Sequence, residues 1–122
     1  MITKESAQAF AHHWIESWNT HDLEQILSHY SDDFEMSSPY IVSIMNEPNG
    51  TLSGKDKIGN YWSIALERFP DLKFELIAIF TSVQSVIIYY HSAHRGTNAA
   101  EYFLFNDQGK VIKSAGHYNS MF

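Results

Sequence analysis

The sequence predicts an α+β fold in which three helices of the N-terminal half pack on one side of a mostly antiparallel sheet. Three observations predict it. Apolar residues recur at three- and four-residue spacing in three segments before residue 70. Four segments rich in β-branched and aromatic residues follow, separated by short polar or glycine-containing links. The two kinds of segment are grouped along the chain, helices first and a meander after them. At 122 residues the chain fits one domain, 1–122, and folding at this size buries roughly two thirds of the surface of the unfolded chain.

The first helix runs from Thr3 to Asn19, with Ala7, Phe10, Ala11, Trp14 and Trp18 on one face and Glu5 in the first turn, where the helix dipole favours it. Asp22 is the N-cap of a short second helix whose inner face is Leu23, Ile26, Leu27 and Tyr30. Phe34 to Ser38 reads as a strand ended by Pro39, which cannot donate to a ladder. Tyr40 to Ser53 reads as another short strand or hairpin. A third helix follows Gly54, with Ile58, Tyr61, Trp62, Ala65, Leu66 and Phe69 facing inward and Pro70 as its stop. Strands are expected over Asp71–Phe80, Ser82–Ser92, Ala99–Asn106 and Lys110–Tyr118. A turn at Asn106-Asp107-Gln108-Gly109 sets Phe105 opposite Lys110 and Glu101 opposite Ser114. Alternation then puts Ala99, Glu101, Phe103 and Phe105 on one face with Ile112, Ser114, Gly116 and Tyr118, and turns His117 away from it.

Composition narrows the function. Aromatic residues make up 15% of the chain, which supplies large buried area with polar tips. The net charge is -6, and no run of Lys or Arg forms the stripe that nucleic acid requires, so nucleic acid is excluded as a partner. The absence of cysteine removes disulfides and thiolate chemistry. No stretch reaches the ~20 apolar residues of a membrane span, nor does the amino terminus carry a signal-type apolar core, so a cytoplasmic protein without a membrane partner is expected.

Four segments in order carry a family resemblance: the Trp14 helix ending in W-N-T-H-D, S-D-D-F-E-M-S-S-P at 31–39, S-G-K-D-K-I-G-N-Y-W at 53–62, and E-Y-F-L-F-N-D-Q-G-K-V at 101–111. Together they resemble the nuclear transport factor 2-like superfamily, in its SnoaL-like and ketosteroid-isomerase-like branch. The resemblance implies a cone-shaped curved sheet that encloses a pocket with the helices, and a homodimer. It also implies three chemical positions. The general-base carboxylate of the isomerases falls on Ser38, which cannot be a base near pH 7 unaided. Their oxyanion-hole tyrosine falls on Trp14, which donates but shuttles no proton. The acidic partner falls on Glu101, which keeps its carboxyl group, and a supporting aromatic falls on Trp62.

Glu101 is therefore the candidate catalytic residue, because its strand points it toward Phe103 and Phe105 and desolvation raises a carboxyl pKa toward neutrality. Candidate ligand-binding residues are Trp14, Trp18, Ser38, Tyr61, Trp62, Phe103, Ser114, Gly116 and Tyr118, a mixture of large rings with small or polar groups that suits a ligand site. The expected ligand is a small apolar or aromatic molecule, and no cofactor is called for. Neither His12-His13 nor His91-Ser92-Ala93-His94 has the spacing to put two imidazoles on one ion, so no metal site is expected. An epoxide hydrolase needs a positioning arginine, and Arg68 and Arg95 both fall outside the pocket pattern. The rival to an acid–base isomerase, cyclase or lyase is a non-catalytic binding module, or a dimeric interaction module using the outward face that carries Tyr102 and Leu104.

Overall fold

The structure, a computed structural model, describes residues 2–119. Helix α1 (Lys4–Asn19) starts from a reciprocal cap: the Thr3 hydroxyl accepts from the Ser6 amide and the Ser6 hydroxyl from the Thr3 amide. Ala7, Ala11, Trp14 and Trp18 form its buried stripe. Asp22 caps α2 (Leu23–Leu27) by accepting from the Gln25 amide at 3.2 Å. That helix is shorter than its apolar spacing predicts. The Ser28 hydroxyl bonds back to the Gln25 carbonyl, and the His29 carbonyl accepts from the Val111 amide, so Tyr30 opens strand β1 (Tyr30–Ser37) and is not the last helical residue.

Residues 39–53 hold a fourth helix where a strand or hairpin was expected. Ser38 is extended and its Oγ accepts from the Tyr40 amide at 3.2 Å, while Pro39 occupies the first turn of α3 (Pro39–Met45). A proline that ends a strand is equally well placed to begin a helix, since its missing N–H is one that no helix uses. Asn46 closes α3 in the left-handed conformation, φ 55°. The strand in this region, β2, is confined to Thr51–Ser53. Gly54, at φ 92°, then turns the chain into α4 (Lys55–Arg68) while its amide bonds the Phe34 carbonyl at 2.8 Å.

Strands β3 (Phe74–Thr81), β4 (Ser85–Ser92), β5 (Thr97–Phe105) and β6 (Val111–Tyr118) complete a six-stranded sheet of order β2-β1-β6-β5-β4-β3. Every pairing is antiparallel except β1 with β6. Register shifts interrupt β1/β6, β3/β4 and β5/β6, and such bulges bend the strands and curve the sheet around the helices. The shift in β5/β6 corrects the predicted pairing. Phe105 meets Val111, so Glu101 stands opposite Gly116 and not Ser114, Ser114 stands opposite Phe103, and Ile112 is turned outward and 37% exposed. The faces of Glu101, Ser114, Gly116 and Tyr118 are unchanged, because the pairing moved by two residues.

Helix α1 is clamped to the edge strand by one side chain. The Asn19 amide donates to the Phe74 carbonyl at 2.9 Å and accepts from the Phe74 amide at 2.7 Å, supplying the ladder bonds that a further strand would give. His21, at φ 57°, then reaches the Leu72 carbonyl at 3.1 Å. Ile26, Phe34, Ile41, Ile58, Ile88, Phe103 and Val111 are wholly buried between helices and sheet. Each contributes about 1.5–3 kcal/mol by leaving water. The salt bridges Lys55–Asp32 and Lys113–Glu35, both 3.8 Å and open to solvent on at least one side, add little to this. No helix among the described residues is long and apolar enough to cross a membrane.

Candidate functional site

Between the sheet and the helices lies a cavity of about 80 Å³. Helix α1 supplies Trp14 and Trp18, β1 Tyr30 and Met36, and α3 Tyr40 and Ile44. Helix α4 and the segment after it supply Tyr61, Trp62, Ala65, Phe69 and Leu72, and the sheet adds Phe74, Tyr90, Glu101 and Tyr118. His94 and the exposed Arg95, from the β4–β5 turn, form the mouth, where the Arg95 guanidinium lies 4.7 Å over the Tyr40 ring. The aromatic walls interlock. Trp14 stacks on Phe74 at 5.7 Å and meets Tyr90 edge-on at 5.4 Å, and Trp62 bridges Trp18 and Tyr30 at 5.4 and 5.1 Å.

Glu101 is 4% exposed and lies in a nest of phenols. Tyr90 donates to its Oε1 at 3.3 Å, and the Tyr118 hydroxyl lies on the same side, over Gly116. Burial pushes the Glu101 carboxyl up from 4.5 to about 7, while the hydroxyls of Tyr90 and Tyr118 pull the other way. No Lys or Arg is among the groups that shift it, so desolvation wins. The phenols of Tyr30, Tyr61, Tyr90 and Tyr118 are all pushed up, first by burial and then, in part, by the Glu101 charge. The site is thus a buried carboxyl group raised toward neutrality and ringed by phenols that burial keeps from ionising.

Gly116 makes this nest possible. A Cβ there would lie 2.7 Å from Tyr118 Oη and 3.0 Å from Glu101 Oε1, closer than side chains tolerate, so the bare glycine lets the phenol lean over β6 onto the carboxyl group. On the other side, the Ser38 hydroxyl, which accepts from the Tyr40 amide at 3.2 Å, works against the rise of Tyr61 and Tyr118. Trp14 Nε1 donates to Tyr30 Oη at 3.1 Å, which fixes a further phenol of the nest. Trp18 Nε1 and Ser114 Oγ are buried with no hydrogen-bond partner among the described residues, at a cost of about 1–3 kcal/mol each.

Six of the ten residues singled out in the sequence line the cavity: Trp14, Trp18, Tyr61, Trp62, Glu101 and Tyr118. Ser38, Phe103, Ser114 and Gly116 do not. Ser38 and Gly116 stand directly behind the lining, touching Tyr118, whereas Phe103 packs beneath Phe10 and Trp14 at 4.9 and 5.4 Å. Sequence reasoning passed over Tyr90, Tyr30, Tyr40, His94 and Arg95. Arg95, placed outside the pocket pattern, belongs to its mouth because Ser92 pairs with Thr97 and the four residues between them form the turn. The same pairing sets Ile88 opposite Glu101, and strand alternation then puts Tyr90 on the Glu101 face. Fixing that one turn would have found both residues.

The histidines stand apart from the nest. His13 Nδ1 and His29 Nε2 are 2.6 Å apart on the α1 side, and Phe10 meets His29 edge-on at 5.0 Å. Burial, then His13 and Lys110, lower His29 from 6.5 to about 4. No group of three or more His, Asp or Glu among the described residues converges as a metal-binding set.

The family model for the SnoaL-like domain matches residues 11–118 of this chain. A SnoaL-like protein of unknown function from Burkholderia thailandensis E264 is 50% identical, with a TM-score of 0.93 and 98% of each chain covered. Two further solved structures are each 16% identical at a TM-score of 0.74. One is TerC co-crystallised with polyporic acid, with 93% of this chain and 92% of that chain covered. The other is IdmH, a proposed polyketide cyclase from Streptomyces antibioticus, with 93% and 91% covered. No curated protein matches the chain.

Proposed function

We propose that this chain, which belongs to the SnoaL-like domain family, binds a small, largely apolar or aromatic molecule in its cavity and acts on it as a cofactor-independent acid–base enzyme of isomerase, cyclase or lyase type, with Glu101 as the acid and base. One observation carries the reading: the carboxyl group that lines the aromatic cavity is buried, unpaired with any cation, and brought to about 7, where it takes up and gives back a proton with equal ease. A packed core has no use for such a group. A protein of similar fold, TerC, was co-crystallised with polyporic acid, which supports a small-molecule reading.

The cavity limits the guest. At about 80 Å³ it is smaller than the roughly 150 Å³ that holds a benzene molecule in a dry cavity. A single ring fills it only if Tyr40 and Arg95 at the mouth give way, and a fused polycycle needs more. The test is a thermal-shift series with single-ring aromatic carbonyl compounds, on the wild-type protein and on Ala65→Trp, which plugs the cavity from α4. A bound compound at a hundred times its Kd stabilises by about 2.7 kcal/mol, and Ala65→Trp is expected to abolish that gain. A gain undiminished by the plug puts the ligand elsewhere and refutes the pocket reading.

A second reading concerns assembly. The sheet face away from the helices carries the cross-strand row Phe80, Ile87, Tyr102 and Ala115, in which Phe80 is 57% and Ile87 37% exposed, with Leu104 beside Tyr102. We propose that a second copy covers this row in a two-fold homodimer, because one self-complementary apolar face is buried most simply by its own likeness. Sedimentation velocity at micromolar concentration should show a dimer. A monomer would refute it.

A further inference from the structure

We infer that the β4–β5 turn is an anion site, where His94 and Arg95 receive the carboxylate of a small aromatic acid whose ring enters the cavity and points its far end toward Glu101. The inference rests on the reading of the cavity as a ligand site and names the class of its guest. The turn is built before any guest arrives. Ser92 pairs with Thr97, the Arg95 and Gly96 amides bond the Ser92 carbonyl at 3.1 and 2.9 Å, and the Ala93 amide bonds the Lys73 carbonyl at 2.8 Å. Gly96 closes it at φ 69°. Two consecutive side chains, His94 and Arg95, then reach the cavity wall.

Both present donors. The Lys73 amide donates to His94 Nδ1 at 3.4 Å, so Nδ1 carries no proton and the ring is protonated on Nε2. The Ser92 hydroxyl lies 3.3 Å from the same Nδ1, and Phe69 packs against the ring at 5.7 Å, which fixes its place. Arg95 brings a permanent charge and an N–H fork matched to a carboxylate. Its guanidinium lies 4.7 Å over the face of Tyr40, a ring that backs a cation by its charge and offers no lone pair there. Arg95 is the one Lys or Arg among the residues that line the cavity.

The cavity is therefore polarised from mouth to floor. Tyr40, under the guanidinium, meets Tyr118 edge-on at 5.0 Å, and the Tyr118 hydroxyl and Glu101 Oε1 crowd the same space over Gly116. Two rings thus separate the cation from the acid. Arg95 acts on Tyr118 and is not among the groups that act on Glu101, so the poles do not cancel. A guest acid cannot enter carboxylate first, because it would bring a second charge beside Glu101 with no cation to pair it. Asp71, ahead of β3, acts on His94 and opposes an anion at the turn, and the chain as a whole carries -6, so the attraction falls to Arg95. Carboxylate at the mouth and ring inside is the orientation that suits both poles.

Benzoate and benzamide test this, being alike in shape and different in charge, by calorimetric titration into the full chain at neutral pH and low salt. The wild-type protein should bind benzoate ~10-fold more tightly than benzamide, the margin of a charge-assisted pair. Arg95→Gln should bring that ratio near one, Arg95→Lys should keep part of it because the charge stays and the fork is lost, and Ala65→Trp should abolish binding of both. A ratio near one in the wild type, or one that Arg95→Gln leaves unchanged, would overturn the anion site, while loss of binding in Ala65→Trp would keep the cavity as a site for neutral guests. Benzoate binding that needs Arg95 but survives Ala65→Trp would put the anion on the turn alone and overturn the proposal. If neither compound binds at millimolar concentration, the reading of the cavity falls with it.

Discussion

Replacing Glu101 with Gln removes the proton but keeps the shape, and the consequence for stability can be worked out. The folded state raises the carboxyl from 4.5 to about 7, so between those values folded molecules hold a proton that unfolded ones have lost. Stability contributed by the group is therefore present at acid pH and falls as pH rises through that window. A shift of about 2.5 units at ~1.36 kcal/mol each amounts to about 3 kcal/mol. His29 works in the opposite sense. Its folded value of about 4 against 6.5 means that unfolded molecules bind the extra proton, so its contribution grows as pH rises from 4 to 6.5. The two slopes oppose one another in the wild-type protein and flatten its profile, which is why the informative quantity is a difference. Urea unfolding of wild type and Glu101→Gln from about pH 4 to about pH 8 should show the variant gaining about 3 kcal/mol on the wild type, with the His29 slope common to both and cancelling. Profiles that run parallel would refute the buried acid.

Two further perturbations test the parts that hold it. Gly116→Ala places a Cβ 2.7 Å from Tyr118 Oη and should cost about 1–3 kcal/mol of stability in urea unfolding, a cost that adding Tyr118→Phe partly relieves by removing the struck oxygen; a harmless Gly116→Ala would show that the phenol does not lean on β6. Ile87→Lys, in the middle of the outer row, should convert the proposed dimer to a monomer in sedimentation while leaving the fold intact by circular dichroism, and a dimer that survives it is not built on that face.

The course of the chain was legible where physical signals are local. The stripe Ala7, Ala11, Trp14, Trp18 and the caps at Asp22 and Gly54 announce helices, and the β-branched runs announce the meander. The region 39–53 misled because a proline after an extended serine both ends a strand and starts a helix, and periodicity in seven residues is too short to separate the two. Within the site, Glu101 was visible because alternation preserves its face even when a bulge moves its partner from Ser114 to Gly116. Tyr90, His94 and Arg95 were not, because their positions depend on where a turn closes. Pairing across strands is a non-local fact that composition does not encode.

The substitution at Ser38 changes meaning once the network around it is drawn. Where the family resemblance puts a carboxylate, a second buried acid here would share the surroundings of Glu101, and the two would drive each other's pKa apart. A serine at this position avoids that repulsion and caps α3 by accepting from the Tyr40 amide. Gly116 in turn makes room for Tyr118 over the carboxyl group. On the proposed reading, the acid–base chemistry of the cavity then falls to Glu101, the carboxyl group among its lining residues.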